Sequence, residues 1–480
     1  MCKQPGFFYK ITLMKRERIK LSEHFNYRKL LRFTSPSVIM AIFVSIYTII
    51  DGLFVSRAAG EHAFAGLNLI FPYIMILGAI GMMLGTGGSA LIAKTLGEGD
   101  EKRANGYFSF LVISVAAAGV IFGGAGIGAL GPVAERLGVN ATAETVRQAK
   151  IYGLICLAGM PFAMLQYSFQ SFMVTAEKST LGFLITVAAG ATNAVFDAVL
   201  ILGCRWGVAG AAAATLIGQA VGAIIPVIYF ACPRNNSLLH LIQPKCEFKS
   251  FIRACTNGAS ELLSNISFSV VGMLYNVALL KLAGDNGVIA YGIIMYMSTI
   301  FFNVFFGFSM GAAPLVGYHY GAKNREELKN LKRKSFVVVA VVGIVLTALS
   351  EALASPFARI FATSEEIYLM TRRGIYLYSF CYLLMGFSIF GSAFFTALNN
   401  GLVSGAISLL RSLVFQSGAV LLLAYLLKLD GIWIAATAAE VLSFITTVIF
   451  FIAMRKKYGY SGKSGCDEKT VDETSGNVVE

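Results

Sequence analysis

The sequence predicts an all-α polytopic membrane protein with twelve transmembrane helices in two parallel six-helix bundles. Three observations carry that prediction: long charge-free apolar blocks, the placement of basic residues, and an internal repeat. The 480 residues are 56% hydrophobic and 14% charged, against roughly 25% charged in an ordinary soluble domain. The apolar residues gather into blocks such as His62 to Ala93, Ala104 to Ala134 and Val288 to Ala322. About 20 apolar residues cross roughly 30 Å of hydrocarbon as a helix. A soluble core of this size has no room for about twelve such segments. The 49 glycines suit helices that pack closely in lipid. A spanning β-barrel would show short alternating segments instead.

The predicted spans are 33–56, 64–92, 106–131, 148–172, 180–203, 207–230, 254–280, 287–314, 335–357, 374–398, 401–427 and 431–454. They organise the chain into five parts. Residues 1–32 form a basic cytoplasmic segment, 33–230 an N-terminal bundle and 231–253 a cytoplasmic linker. Residues 254–454 form a C-terminal bundle and 455–480 a polar cytoplasmic tail whose last fifteen residues are expected to be disordered. The basic N-terminal stretch lacks the small-residue cleavage pattern of a signal peptide. The eight cysteines are scattered without a CxxC pair, which reads as free thiols acting as small hydrophobes.

With the N-terminus in the cytoplasm, the loops and tails on that side carry 28 Lys and Arg, the opposite loops 10, and Arg411 lies inside a span. That is the positive-inside bias. It predicts a multi-pass protein of a bacterial inner membrane with both termini cytoplasmic. It also accounts for the net charge of +13 without a nucleic-acid partner.

A shift of 224 residues aligns the two halves. Ala59-Gly60 falls on Ala283-Gly284, Gly87 on Gly311, Leu91 on Leu315 and Gly97 on Gly321. The same shift places Ala211 to Ala214 over Ala435, Ala436, Thr437 and Ala438. Six spans separate the copies, an even number, so both copies share one topology. Parallel repeats of that kind occur in transporters with alternating access. Two fused bundles already enclose a cleft, so a monomer is expected.

Ionisable groups at bilayer depth are expensive unless paired or facing water, so the few present here are the candidates. Asp51 lies six residues before Arg57, about 9 Å below the outer end of the first span. Asp197 lies eight residues before Arg205 and Thr215 eight past Gly207, both about 12 Å deep. Asn193 shares a helix face with Asp197. Two carboxylates, an amide and a hydroxyl at one depth can bind a proton or Na⁺. A plainer account makes Asp51 a helix-end anchor near Arg57 and pairs Asp197 with Arg205. The second half has no such carboxylate pair, since the shift maps Asp51 to Tyr275 and Asp197 to Leu421. It holds Glu261, Arg411 and Glu440 at depths that permit pairing. They are either a structural ion-pair set or a second coupling or substrate site. His319, near the end of the eighth span, reads as interfacial. The aromatics, 37 Phe and 20 Tyr, serve packing and lipid contact, with some available for cation–π contact to a lipophilic cation.

No phosphate-binding loop, HExxH or GxSxG motif is present, so no enzyme and no cofactor is predicted. LGTGG (84–88) lies mid-span and reads as helix packing or a local distortion.

At the same residues the chain resembles the multidrug and toxic compound extrusion (MATE) family, most of all its bacterial MepA-like and DinF-like branch. In SPSVIMAIFVSIYTIIDGLFVSRAAG (35–60), Pro36, Asp51, Phe54, Val55 and Gly60 fit the family pattern, with Ser56 where Gly is usual. In NAVFDAVLILGCRWGVAGAAAATLIGQ (193–219), Asn193, Asp197, Gly207, Gly210, Thr215 and Gln219 match, with Ala198 replacing the usual Pro. Glu261 in NGASELLSN (257–265) matches a functional Glu of many members, and AYGI (290–293), ALNN (397–400) and SLLRSLVF (408–415) also match. The resemblance implies a MATE-like fold and efflux of amphipathic, mostly cationic drugs or dyes by antiport with H⁺ or Na⁺. It implies a cation site at the positions of Asp51, Asn193, Asp197 and Thr215.

Two other readings remain. A lipid-linked precursor or polysaccharide flippase of the same superfamily would line its cleft with several basic residues, whereas Arg411 is the only one well inside a span. A non-transporting receptor or scaffold would need no buried carboxylate cluster.

Overall fold

The computed structural model describes residues 19–55, 60–139, 141–362 and 364–460. Ser56, Arg57 and the last fifteen residues of the tail lie outside them. The described chain is helical. In order come α1 (Tyr27–Phe54), α2 (Glu61–Gly97), α3 (Glu101–Leu137), α4 (Ala143–Ala158), α5 (Met160–Thr175), α6 (Ser179–Asp197) and α7 (Val208–Ala231). They are followed by α8 (Phe248–Gly321), α9 (Arg325–Phe361), α10 (Glu365–Tyr378), α11 (Tyr382–Ala397), α12 (Gly401–Leu409) and α13 (Gln416–Tyr458). π-Helical turns follow α6 (Ala198–Gly203) and α12 (Leu410–Phe415).

Among the described residues nine helical stretches are long and apolar enough to cross a membrane, or ten with the α4–α5 pair, which bends by 60°. Gly159 and the N–H-less Pro161 sit at that bend. The 74-residue α8 is broken at Gly284 and the 58-residue run Gly401–Tyr458 at Lys428. Large apolar side chains such as Ile121, Ile344, Leu402 and Leu421 are exposed along these helices. A water-soluble protein seldom shows so broad an apolar surface; here it faces lipid.

Most helices overrun the predicted spans. Asn26 accepts the Lys29 N–H at 2.8 Å and starts α1 six residues before the predicted span, and Asn324 accepts the Glu327 N–H at 3.0 Å and starts α9 ten residues early. Hydropathy marks only the part in hydrocarbon, while a side-chain cap sets where the helix begins.

The backbone repeats the shift seen in the sequence. Positive φ angles occur at Gly60 and Gly284, Gly99 and Lys323, Glu177 and Asn399, and Gly207 and Lys428. The partners stand 224, 224, 222 and 221 residues apart. Gly207 (φ 57°, ψ −130°) and Lys428 (φ 53°, ψ −128°) have nearly one conformation, which is open to glycine and strained for lysine.

The largest apolar core gathers residues 271–460 together with Leu21, Phe25, Leu30, Phe33, Met40 and Val174. Two further cores lie within residues 55–254. The first half (α1–α7) meets the second (α8–α13) through backbone-close crossings. A Cβ on Gly87 would lie 2.0 Å from the Ala254 carbonyl oxygen, and one on Gly258 1.8 Å from that of Met83. At the far end of α2, a Cβ on Gly97 would lie 2.0 Å from the Tyr318 carbonyl oxygen and one on Gly321 2.0 Å from that of Lys94. The LGTGG segment is thus helix packing: α2 stays helical through it. Gly307 and Gly311 of α8 pack likewise on Ser37, Val38 and Thr34 of α1.

The linker binds the end of α3. Asn105 accepts the His240 N–H at 2.7 Å and Ser109 the Ile242 N–H at 2.8 Å. The Tyr107 hydroxyl donates to Glu247 at 2.7 Å. That hydrogen bond, with those of Ser250 and the nearby Arg103, holds the Glu247 carboxyl below the usual carboxylate range. The first residues after the last span are packed rather than solvated: Tyr460 is buried against Phe394 and Phe451.

Gly258→Ala is expected to cost about 1–3 kcal/mol through overpacking, with a lowered Tm and folded yield, whereas Gly124→Ala, with open space around it, is expected to be neutral. Thermal unfolding followed by size-exclusion chromatography in detergent checks both.

Candidate functional site

The last turn of α1, the last turn of α6 and the middle of α7 converge on one buried polar spot. α6 and α7 run antiparallel in close contact. A Cβ on Gly218 would lie 2.9 Å from the Asn193 Cβ, and one on Gly210 3.1 Å from the Leu200 backbone. Thr215, between those two glycines, therefore stands level with Asp197. Asp197 is fully buried and Asn193 nearly so, while Asp51 and Thr215 are partly buried. The Asp51 carboxyl faces the Asp197 carboxyl and the Asn193 amide. None of these approaches closes into a hydrogen bond. Asp51 Oδ1, Asn193 Nδ2, both Asp197 oxygens and Thr215 Oγ1 are buried without a partner among the described residues. Unsatisfied polar atoms at such density are costly, and a native site that keeps them reserves them for something else.

The plainer account of Asp197 fails on this geometry, because Arg205 forms no ion pair with it among the described residues. The pairing of Asp51 with Arg57 falls outside the described residues. The π-turn begins directly after Asp197, where the family pattern has Pro and this chain has Ala198. π-Turns inside helices cluster at functional sites. Here the turn lets the helix widen without the lost N–H that proline brings.

Sequence reasoning missed the wall of this spot. Tyr47, Tyr152 and Cys156 stand within electrostatic reach of Asp51, and Tyr152 also approaches Thr215. Tyr47 is four residues before Asp51, so the helical period offered it. Tyr152 and Cys156 come from α4, and no spacing in the sequence links them to Asp51.

In the second half the three candidates separate. Arg411 Nε donates to Glu440 Oε1 at 2.9 Å, and the guanidinium lies over the Phe302 ring at 5.8 Å. Both side chains are largely shielded, 14% and 1% exposed. Glu261 stands apart from that pair. Its backbone carbonyl accepts the Asn265 amide at 2.8 Å, and its carboxyl forms no ion pair among the described residues. Another intramembrane carboxylate, Glu351, was missed; it accepts the Ser379 hydroxyl where a short 3₁₀ turn interrupts α10 and α11. His319 is buried in the protein, and both ring nitrogens lack hydrogen-bond partners among the described residues. The covering segment, residues 21–25, carries no hydropathy signal.

Helices long and apolar enough to cross a membrane, an internal repeat and a buried cluster of polar groups unpartnered among the described residues define a polytopic membrane transporter. The MatE family model matches residues 36–199 and 262–426, and the chain belongs to the MatE family. It is accordingly a secondary active transporter and not an enzyme. It is 23% identical over 342 residues to the multidrug export protein MepA of Staphylococcus haemolyticus (strain JCSC1435), covering 71% of this chain and 75% of that one. Identity to MepA of Staphylococcus aureus (strain MRSA252) is 22% over 435 residues, 90% of this chain and 94% of that one. An outward-facing multidrug resistance MATE family transporter of the MOP superfamily superposes with a TM-score of 0.84 at 21% identity, over 93% of this chain and 99% of that one. A MOP superfamily transporter from Pyrococcus furiosus, described as having a binding pocket of reverse polarity, superposes with a TM-score of 0.83 at 21% identity, over 92% and 98%.

Arg411→Met, which leaves the Glu440 carboxylate buried alone, is expected to destabilise by about 3–5 kcal/mol, and adding Glu440→Leu should restore most of that loss. Thermal melts of the two variants test it; equal Tm values for both would show that the pair carries no structural load.

Proposed function

We propose that this chain exports amphipathic, mostly cationic drugs or dyes across a bacterial inner membrane in exchange for H⁺ or Na⁺. The observation that carries the reading is the buried meeting of Asp51 and Asp197 beside Asn193 and Thr215, with polar atoms left unpartnered. A proton needs only one of the carboxyls. Na⁺ needs several hard oxygen ligands, and the two carboxyls, the amide oxygen and the hydroxyl supply that chemistry. The MepA relatives, multidrug export proteins by name, support the same reading.

The architecture of the proposal is twelve spans in two parallel bundles, 33–230 and 254–454, joined by the 231–253 linker. Breaking α8 at Gly284 and the last run at Lys428 turns ten stretches into twelve. The glycine-mediated contacts between halves gather toward the end of α2 that carries Lys94, the cytoplasmic end by the basic-residue bias. On this reading the inward end is closed, and the cycle opens the cleft on the opposite side. Loading a cation at Asp51 and Asp197 removes repulsion there and lets α1, α6 and α7 repack. Drug affinity falls, the drug leaves outward, and the protein rocks inward carrying the cation. The basic segment 1–32 and the tail 455–480 lie in the cytoplasm, and one chain suffices for the cycle.

Charge also selects the cargo. Arg411 is neutralised by Glu440, so no free cation among the described residues lies deep in a span, while Glu261 adds a further acidic group. A flippase for an anionic lipid-linked precursor needs the opposite balance.

Asp197→Asn is expected to abolish coupled efflux while leaving Tm and yield near those of the parent. Ethidium efflux from proteoliposomes, driven first by a pH gradient and then by a Na⁺ gradient, names the ion. Parent-like coupled flux in Asp197→Asn would refute the site.

A further inference from the structure

The stretch just before α1 does more than enter the membrane. Its residues bind both halves of the protein at once. The Leu21 N–H donates to Glu177 Oε1 at 2.6 Å, and Glu177 stands between α5 and α6 of the first half. Four residues on, the Phe25 N–H donates to Glu327 Oε1 at 2.9 Å, and Glu327 begins α9 of the second half. His24 Nδ1 meets Glu327 Oε2 at 2.5 Å. The Phe25 carbonyl accepts from Asn330 Nδ2 at 2.9 Å and Lys334 Nζ at 2.6 Å. Every backbone bond named here has a charged or amide side chain from one half or the other as its partner.

The segment is also an apolar plug. Leu21 and Phe25 are 1% and 0% exposed. They join the core that holds Val174 from the first half and Leu328 and Leu331 from the second. Burying two large apolar side chains favours the seated position of the segment. Beneath the segment lies His319, facing the Leu21 and Glu23 backbone. The next residue down, Tyr318, presents its carbonyl to Gly97 at one end of the α2–α8 crossing. The segment thus caps the crossing that closes the two halves together.

We propose that residues 21–25 are a strap that locks the two halves at their closed face and must release before that face can open. The inference rests on the alternating-access reading above for its role in transport, while the lock itself rests on the contacts alone. Glu177 and Glu327 are the two anchors. Each holds the strap through a backbone N–H on a carboxylate, a stronger bond than a neutral pair makes. A mobile strap of this kind sets the rate of opening without touching the drug or the coupling ion.

The test reads opening directly. Ala93 is fully buried against Gly317, with 3.1 Å between the Ala93 Cβ and a Cβ built on that glycine. Ala93→Cys is introduced with the eight native cysteines replaced, and the rate of maleimide labelling is measured in lipid nanodiscs. Glu177→Gln and Glu327→Gln are each expected to raise that rate about tenfold, the equivalent of about 1.4 kcal/mol. His24→Ala, the loss of a side chain 73% exposed, should raise it less but in the same direction. If Glu327→Gln fails to fold, Glu177→Gln and His24→Ala decide. Labelling as slow as in Ala93→Cys alone, in both, would overturn the strap. Faster labelling in a protein that moves no ethidium under either gradient would overturn the exporter reading and leave the strap standing.

Discussion

The contact on which the rest depends is the backbone-to-backbone crossing of α2 with α8. Gly87, Gly97, Gly258 and Gly321 each lack a Cβ where one would sit within about 2 Å of a carbonyl on the other helix. In lipid no hydrophobic effect drives helices together, so close van der Waals approach has to. That approach fixes the distance between the halves on one face. With the face closed, the first half can keep its polar spot buried and the second half its Arg411–Glu440 pair. The proposed strap adds to the same closed face.

The two halves divide the electrostatic labour. The first gathers Asp51, Asn193, Asp197 and Thr215 with polar atoms to spare. The second spends its one deep arginine on Glu440. A buried charge that keeps its partner escapes the cost of an unpaired one, so the second half's ion pair is satisfied as it stands. The first half keeps unpartnered polar atoms, and in the proposed cycle its carboxylates take up the coupling cation. On that reading one half is responsive and the other is a partner to move against.

Much of this was legible in the sequence, for stated reasons. Bilayer thickness turns hydropathy into spans, so the helices themselves were readable, and their ends poorly so where a cap such as Asn324 extends them. The rarity of charge at depth singled out Asp51, Asp197, Glu261, Arg411 and Glu440 without any structure. Helical period linked Asn193 to Asp197. Period carries nothing across helices, so Tyr152 and Cys156 stayed hidden. A lone carboxylate near a span end, Glu351, looked too ordinary to notice. The cover over His319 was not legible, because Leu21 and Phe25 sit in a segment whose charge outweighs its apolar residues.

What the sequence determined alone is the set of long apolar helices, their repeat and the candidacy of Asp51, Asp197, Glu261, Arg411 and Glu440. Those follow from a solvent with one thickness and one dielectric, which act on each segment separately. What only the tertiary structure decided is which buried groups meet. Arg411 chose Glu440 and left Glu261 alone, Asp51 faced Asp197, and residues 21–25 closed over His319. Each depends on helix rotation and approach set by glycines far apart in the chain, and no local rule contains that information.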